Sequence, residues 1–257
     1  AECAAKFHIG DYDLGNANVS KTAHTVVFRM RFLLPERSLY MNITPKQMLL
    51  YAVSDRAWSN SDEEFLSQAK QAIKSGVTIF QLREKHTSYE HFREIALKLK
   101  PICKQYNVPL IINDNVKLAK EIDADGVHLG QDDLDIKAAR EYLGADKIIG
   151  VSAHNVKEAL EAENGGADYL GSGAAFVTST KTDAGAIDHK VLSDVAHSVK
   201  IPVVAIGGIN KDNISQLEGL GLDGVAVVSA IFAADDISSA VIDLKAKAEK
   251  AAESSSK

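Results

Sequence analysis

Candidate binding groups recur at seven points along this 257-residue chain, each directly after a run of apolar residues. The first is Gln81-Leu82-Arg83-Glu84-Lys85. Alternate residues of an extended segment share a face, so Gln81, Arg83 and Lys85 point together. Arg offers a planar fork and Lys a point charge, a pair suited to a pyrophosphate. The alternative is a solvated loop whose cations pair internally through Glu84. Two acidic clusters follow, Asn113-Asp114-Asn115 and Gln131-Asp132-Asp133. Asp114 and Asp133 can share a hard divalent cation: Mg2+ takes one or two carboxylates and fills its shell with phosphate oxygens and water. Taken singly, each reads equally well as a helix cap, because each precedes a helical pattern.

Further on, Ser152-Ala153-His154 offers a small polar contact in Ser152. His154 suits an acid or base, or a surface residue ahead of a helix. The long polar stretch Gly173 to Ile187 carries Thr178-Ser179-Thr180-Lys181. A long polar loop of this kind is a lid candidate, with Lys181 able to reach a phosphate on closure; a merely flexible loop is the alternative. Last come Gly207-Gly208 and Val228-Ser229-Ala230. Backbone of this sort can approach a monophosphate and present amide groups to it. Two phosphate sites are thus suggested, and no Ser, His or Cys spacing indicates a nucleophilic triad.

The segments that must position these groups are LLYAVS (49–54), VTIFQL (77–82), PLIIN (109–113), GVHLG (126–130), IIGVS (148–152), YLGSG (169–173), PVVAIG (202–207) and GVAVVS (224–229). Each is nearly continuously apolar, as strands buried on both faces are. Amphipathic stretches lie between most of them. Phe65, Ala69, Ala72 and Ile73 fall at helical spacing, as do Phe92, Ile95, Ala96 and Leu99. Ser61 followed by Glu64 reads as a capping box. Alternating strands and helices predict a parallel sheet. Eight units in about 200 residues match a (β/α)8 barrel, with an open doubly wound sheet as the competitor. The turns SGVTIF, ADGVHLG, GADYLGSG and LDGVAVVS repeat a Gly just before or within a strand, which favours the barrel. The predicted fold class is α/β, a single TIM barrel over 41–257 with its chemistry in the loops after the strands.

Composition bounds the rest. A net charge of -6 argues against a nucleic-acid partner, and no apolar run approaches a membrane span of about 20 residues. Cys3 and Cys103 are too few and too distant for a disulfide scaffold, which fits a reducing, cytoplasmic setting. Residues 1–40 lack periodicity and resemble neither a signal nor a transit peptide. They are expected to be a disordered or non-native N-terminal extension, with Met41 as an alternative start. The sequence carries no signal of oligomeric state.

Taken in order, QLREK, IND, GQDD, GVSAH, TSTK, AIGGI and VVSAI resemble the thiamine phosphate synthase family from about Leu49 to Ile237. Each piece is common; the ordered set is specific. The resemblance implies a Mg2+-assisted transferase joining a hydroxymethylpyrimidine pyrophosphate to a thiazole phosphate, with release of pyrophosphate. It implies that Gln81, Arg83, Lys85, Asn113, Ser152 and Lys181 contact the pyrimidine pyrophosphate and that Asp114 and Asp133 hold Mg2+. Thr178, Ser179, Thr180, Gly208, Val228 and Ser229 would meet the thiazole phosphate. Among these Arg83, Lys85, Ser152 and Lys181 are the expected catalytic groups. The family's lid usually reads GPIFPT, whereas residues 173–178 read GAAFVT. Loss of two prolines should loosen it. The rivals are a thiazole tautomerase-like relative, which lacks the pyrophosphate and metal set, and a regulatory barrel that binds thiamine phosphates.

Overall fold

The computed structural model describes residues 42–85, 87–131, 133–177 and 187–254. The expected extension lies outside these, as do Thr178, Ser179, Thr180 and Lys181 of the candidate lid. Eight strands pair in chain order: β1 (Leu50–Val53), β2 (Ile79–Leu82), β3 (Leu110–Asn113), β4 (Gly126–Leu129), β5 (Ile148–Ala153), β6 (Tyr169–Gly173), β7 (Val203–Ile206) and β8 (Gly224–Val227). All pairs are parallel, and β8 closes on β1. Every apolar run in the sequence is therefore a strand, and the open-sheet alternative is excluded.

Nine α-helical segments are described: α1 (Pro45–Met48), α2 (Asp62–Ser75), α3 (Tyr89–Gln105), α4 (Val116–Glu121), α5 (Ile136–Leu143), α6 (Val156–Gly165), α7 (His189–Ser198), α8 (Ser229–Phe232) and α9 (Ile237–Glu253). After β7 the connection is only a 3-10 turn at Ile214–Leu217. The helical spacing held: Phe65, Ala69, Ala72 and Ile73 of α2 are buried, as are Phe92, Ile95, Ala96 and Leu99 of α3. They pack against the outward side chains of the strands, such as Leu50 and Ala52. Truncating one large member of this layer, Leu99 for example, would cost about 2–5 kcal/mol. The expected capping box is only half formed. Ser61 Oγ accepts from the Glu64 amide at 3.1 Å, but the Glu64 carboxylate accepts from the amide of Asn60 rather than Ser61.

Side chains of opposite parity fill the barrel. Tyr51, Val53, Ile79, Ile111, Ile148, Tyr169, Val204 and Ala226 form this inner core, and Ile43 and Met48, just before β1, pack into it from the floor. Gly150 makes room: a Cβ there would lie 2.0 Å from Cζ of Tyr169, so only glycine lets that ring cross the barrel.

The N-terminal rim repeats one device four times. The residue just before each even-numbered strand accepts a backbone amide from the preceding odd strand. Thr78 Oγ1 takes that of Leu50 at 2.9 Å, and Asp125, Asp168 and Asp223 take those of Leu110, Ile149 and Val203 at 2.8 Å each. The amide of each then donates to the carbonyl of that same partner. The repeating turns seen in the sequence carry this reciprocal staple, and its working member is the Asp or Thr rather than the Gly.

Candidate active site

The C-terminal rim surrounds a cavity of about 380 Å³. Its walls include Gln81, Arg83, Lys85, Asn113, Asp114, Asp133, Ser152, Gly208, Val228 and Ser229. Every candidate residue within the described part of the chain thus converges on one space.

Alternation along β2 and its extension brings Gln81, Arg83 and Lys85 to the mouth, as expected. Glu84 departs from expectation. It does not pair within its own loop; its nearly buried carboxylate accepts from Arg56 Nε at 2.8 Å. Arg56 also donates to Asp62 at 2.7 Å and lies over the Phe65 ring at 4.4 Å. One residue along, Asp55 accepts from Arg83 Nη1 at 3.0 Å. Asp55-Arg56 and Arg83-Glu84 therefore form two crossed ion pairs between neighbouring loops. Ser54 adds a third tie, its buried Oγ accepting the Arg83 amide at 3.0 Å. The loop that carries both cations is anchored from behind, while one edge of the Arg83 guanidinium is already engaged.

Asp114 and Asp133 are not helix caps. The caps of α4 and α5 are Asn115 and Asp135, whose side chains accept the amides of Leu118 and Ala138. Asp114 instead sits at φ 60° at the strand end, a left-handed conformation that Asp tolerates better than most residues. Its carboxyl is pushed above the ordinary range, first by burial and then by the charge and hydrogen bond of Asp133, against the pull of Lys85. The Lys85 ammonium stands 3.7 Å from the Asp114 carboxylate. Asp133 Oδ2 also accepts the Gly130 amide at 2.6 Å. Two carboxylates pressed together beside a cation suit a divalent metal, which relieves their repulsion. Among the described residues no cluster of three or more His, Cys, Asp or Glu side chains is placed to hold a metal, so this pair would depend on ligand oxygens and water.

His154 pairs with Glu158, Nδ1 to Oε2 at 2.9 Å, and its amide donates to the same carboxylate. That pairing favours the surface reading over the acid-base one, although the ring borders the cavity. The glycine pair after β7 serves packing. At Gly207, φ is 101° and a Cβ would lie 2.6 Å from Ala174 Cβ; at Gly208, φ is 65° and a Cβ would lie 2.6 Å from the Val177 carbonyl oxygen. Only glycines allow the loop after β6 to lie this close.

Sequence reasoning missed what lies beneath the mouth. A chain of hydrogen bonds crosses the barrel interior. Gln81 Nε2 donates to Tyr51 Oη at 2.7 Å, and the two phenols of Tyr51 and Tyr169 lie 2.7 Å apart. Tyr169 Oη meets His128 Nδ1 at 3.0 Å, and His128 Nε2 meets Ser152 Oγ at 3.1 Å. Burial pushes the pKa of both phenols up and keeps them protonated. His128 hid inside the apolar run GVHLG. The available signal was its parity, since Val127 and Leu129 on either side face the helices.

The barrel that carries this site is similar to known proteins. A family described as thiamine monophosphate synthase matches residues 50–231. The thiamine-phosphate synthase of Clostridium acetobutylicum is 52% identical over 188 residues, covering 73% of this chain and 89% of that one. That of Methanobrevibacter smithii is 50% identical over 185 residues, covering 72% and 88%. The solved thiamine phosphate pyrophosphorylase of Pyrococcus furiosus superposes with a TM-score of 0.74 at 38% identity, covering 80% of this chain and 98% of that one.

Proposed function

The chain belongs to the thiamine monophosphate synthase family, a transferase family of thiamine biosynthesis, and from that premise we propose how its barrel mouth works. It couples a 4-amino-2-methyl-5-hydroxymethylpyrimidine pyrophosphate to a thiazole phosphate, giving thiamine phosphate and pyrophosphate. The observation that carries the reading is the convergence of Gln81, Arg83, Lys85, Asn113, Asp114, Asp133 and Ser152 on one cavity whose far wall is Gly208, Val228 and Ser229.

Breaking the bond between the methylene carbon and the bridging oxygen sends an electron pair onto the departing pyrophosphate. Arg83 and Lys85 stabilise that charge as it develops, held in place before the substrate arrives. Lys181 adds a third cation from the lid. Gln81, Asn113 and Ser152 orient the pyrimidine, whose amino group spreads the positive charge left on the methylene. The thiazole nitrogen attacks that carbon directly and has no proton to lose, so no general base is needed. On the other wall, Val228 brings no capping side chain to α8, and the first amides of that turn are available to the thiazole phosphate together with Ser229, Gly208 and the lid residues Thr178, Ser179 and Thr180. Asp114 and Asp133 would hold Mg2+, which supplies charge neutralisation on phosphate oxygens when bound. Positioning and electrostatics do the work, and a closed lid excludes water.

The tautomerase-like rival is disfavoured by the cation and carboxylate set, and a regulatory role by its completeness. The enzyme acts on small molecules, and the reading keeps the expected cytoplasmic setting. Among the described residues no helix is long and apolar enough to cross a membrane. The test is a coupling assay with both substrates. Thiamine phosphate should form with Mg2+, vanish on EDTA treatment and return on adding Mg2+. Absence of product with Mg2+ would overturn the activity, and turnover indifferent to EDTA would overturn the metal.

A further inference from the structure

The buried chain from Gln81 to Ser152 has a direction. A carboxamide nitrogen can only donate. Gln81 Nε2 gives its hydrogen to Tyr51 Oη, 2.7 Å away. A buried hydroxyl hydrogen left without an acceptor is costly, which favours Tyr51 turning its own hydrogen toward Tyr169 and Tyr169 in turn donating to His128 Nδ1. That leaves Nδ1 bare and the ring proton on Nε2, where it faces Ser152 Oγ. With its oxygen already accepting from His128, the Ser152 hydroxyl has its hydrogen left to give, and Ser152 borders the cavity.

We propose that Tyr51, Tyr169 and His128 are positioning residues which fix Ser152 as a hydrogen-bond donor toward the substrate, and so select a ligand that places an acceptor atom there. The inference rests on the reading above, in which Ser152 meets the pyrimidine. Two details show the chain is built rather than incidental. Gly150 on β5 lacks the side chain that would collide with the Tyr169 ring at 2.0 Å, and Gly171 on β6 lacks the Cβ that would sit 3.3 Å from His128 Cε1. The rings also brace one another. Tyr51 and Tyr169 meet edge to face at 5.8 Å between centroids, and His128 and Tyr169 tilt together at 5.6 Å. Each phenol is thus held between a neighbour on either side, and reversing one link would reverse those that follow it.

The decisive variant is Tyr169→Phe, which keeps the ring and removes the hydroxyl that donates to His128 Nδ1. Long-range proton–nitrogen spectra of the 15N-labelled full-length protein read the tautomer directly. Wild-type His128 should be protonated on Nε2 alone, and Tyr169→Phe should show a mixture of tautomers. In steady state, kcat/KM for the pyrimidine pyrophosphate should fall about tenfold, the scale of one misdirected buried hydrogen bond. KM for the thiazole phosphate should stay within about twofold. Tyr51→Phe, one bond farther from Ser152, should change both readouts in the same direction by less, and it serves if Tyr169→Phe folds poorly. A wild-type His128 protonated on Nδ1 overturns the proposal. So does a Tyr169→Phe enzyme with unchanged turnover, or one whose two KM values rise together, the mark of a merely structural role. If the wild-type protein makes no thiamine phosphate at all, the functional reading falls, while the tautomer still decides the direction of the chain.

Discussion

The two rims of the barrel use aspartate in opposite ways. At the N-terminal rim Asp125, Asp168 and Asp223 each accept a backbone amide at 2.8 Å, and Asp168 also receives Arg140 at 2.5 Å and Asn42 at 3.2 Å. At the C-terminal rim Asp114 and Asp133 are set against each other, offset in part by the Lys85 ammonium at 3.7 Å and a hydrogen bond from Asn113. A carboxylate whose lone pairs are filled by the fold stabilises it. One left against a like charge costs stability and keeps its capacity for a ligand. The same residue type serves the fold at one end and, in the proposed function, a ligand at the other because of the partners the strand ends supply.

Substitution can break this contrast, and the largest expected effect is at the top. Asp114→Asn, which keeps a residue suited to the left-handed backbone, should lower kcat/KM in the coupling assay by at least about a hundredfold, while the melting temperature stays equal or rises as the repulsion with Asp133 disappears. A melting temperature that drops with activity would place Asp114 among the structural carboxylates. Asp168→Ala tests the other rim. Loss of an amide acceptor and of the Arg140 partner should cost about 3 kcal/mol, and a domain of this size should melt roughly 6–12 °C lower. Turnover at 25 °C by the folded fraction should match wild type; a specific loss of kcat would blur the division. Glu84→Gln sharpens the comparison, because Glu84 stands at the chemical rim but faces away from it. Loosening its bond to Arg56 should raise KM for the pyrimidine pyrophosphate by about three- to tenfold and lower stability by about 1 kcal/mol. KM for the thiazole phosphate should not move. A uniform rise in both would show that the crossed pairs hold the fold and not the cation loop.

How far this was legible in the sequence follows from the range of each interaction. Strands buried on both faces advertise themselves as unbroken apolar runs, so all eight could be placed within about two residues. Alternation along β2 placed Gln81, Arg83 and Lys85 on one face, and loops after strands collected the remaining candidates around one cavity. Pairings across strands were not readable. Arg56 reaches Glu84 and Asp55 reaches Arg83 across 28 residues, and only the register of β1 on β2 brings them together. Tyr51 and Tyr169 look like ordinary strand aromatics until their hydroxyls are seen to share a hydrogen bond. The cap alternative weighed for Asp114 and Asp133 belongs one residue on at Asn115 and two on at Asp135; Asn and Asp crowd both loops, and propensity alone cannot choose among them.

The staples of the N-terminal rim join β1 to β2, β3 to β4, β5 to β6 and β7 to β8, and none of the four bridges one such couple to the next. Each couple is a self-contained clasp. A barrel of this kind can lengthen, duplicate or exchange segments two strands at a time and keep every clasp intact, whereas a genetic breakpoint inside a couple would strand a side chain without its amide.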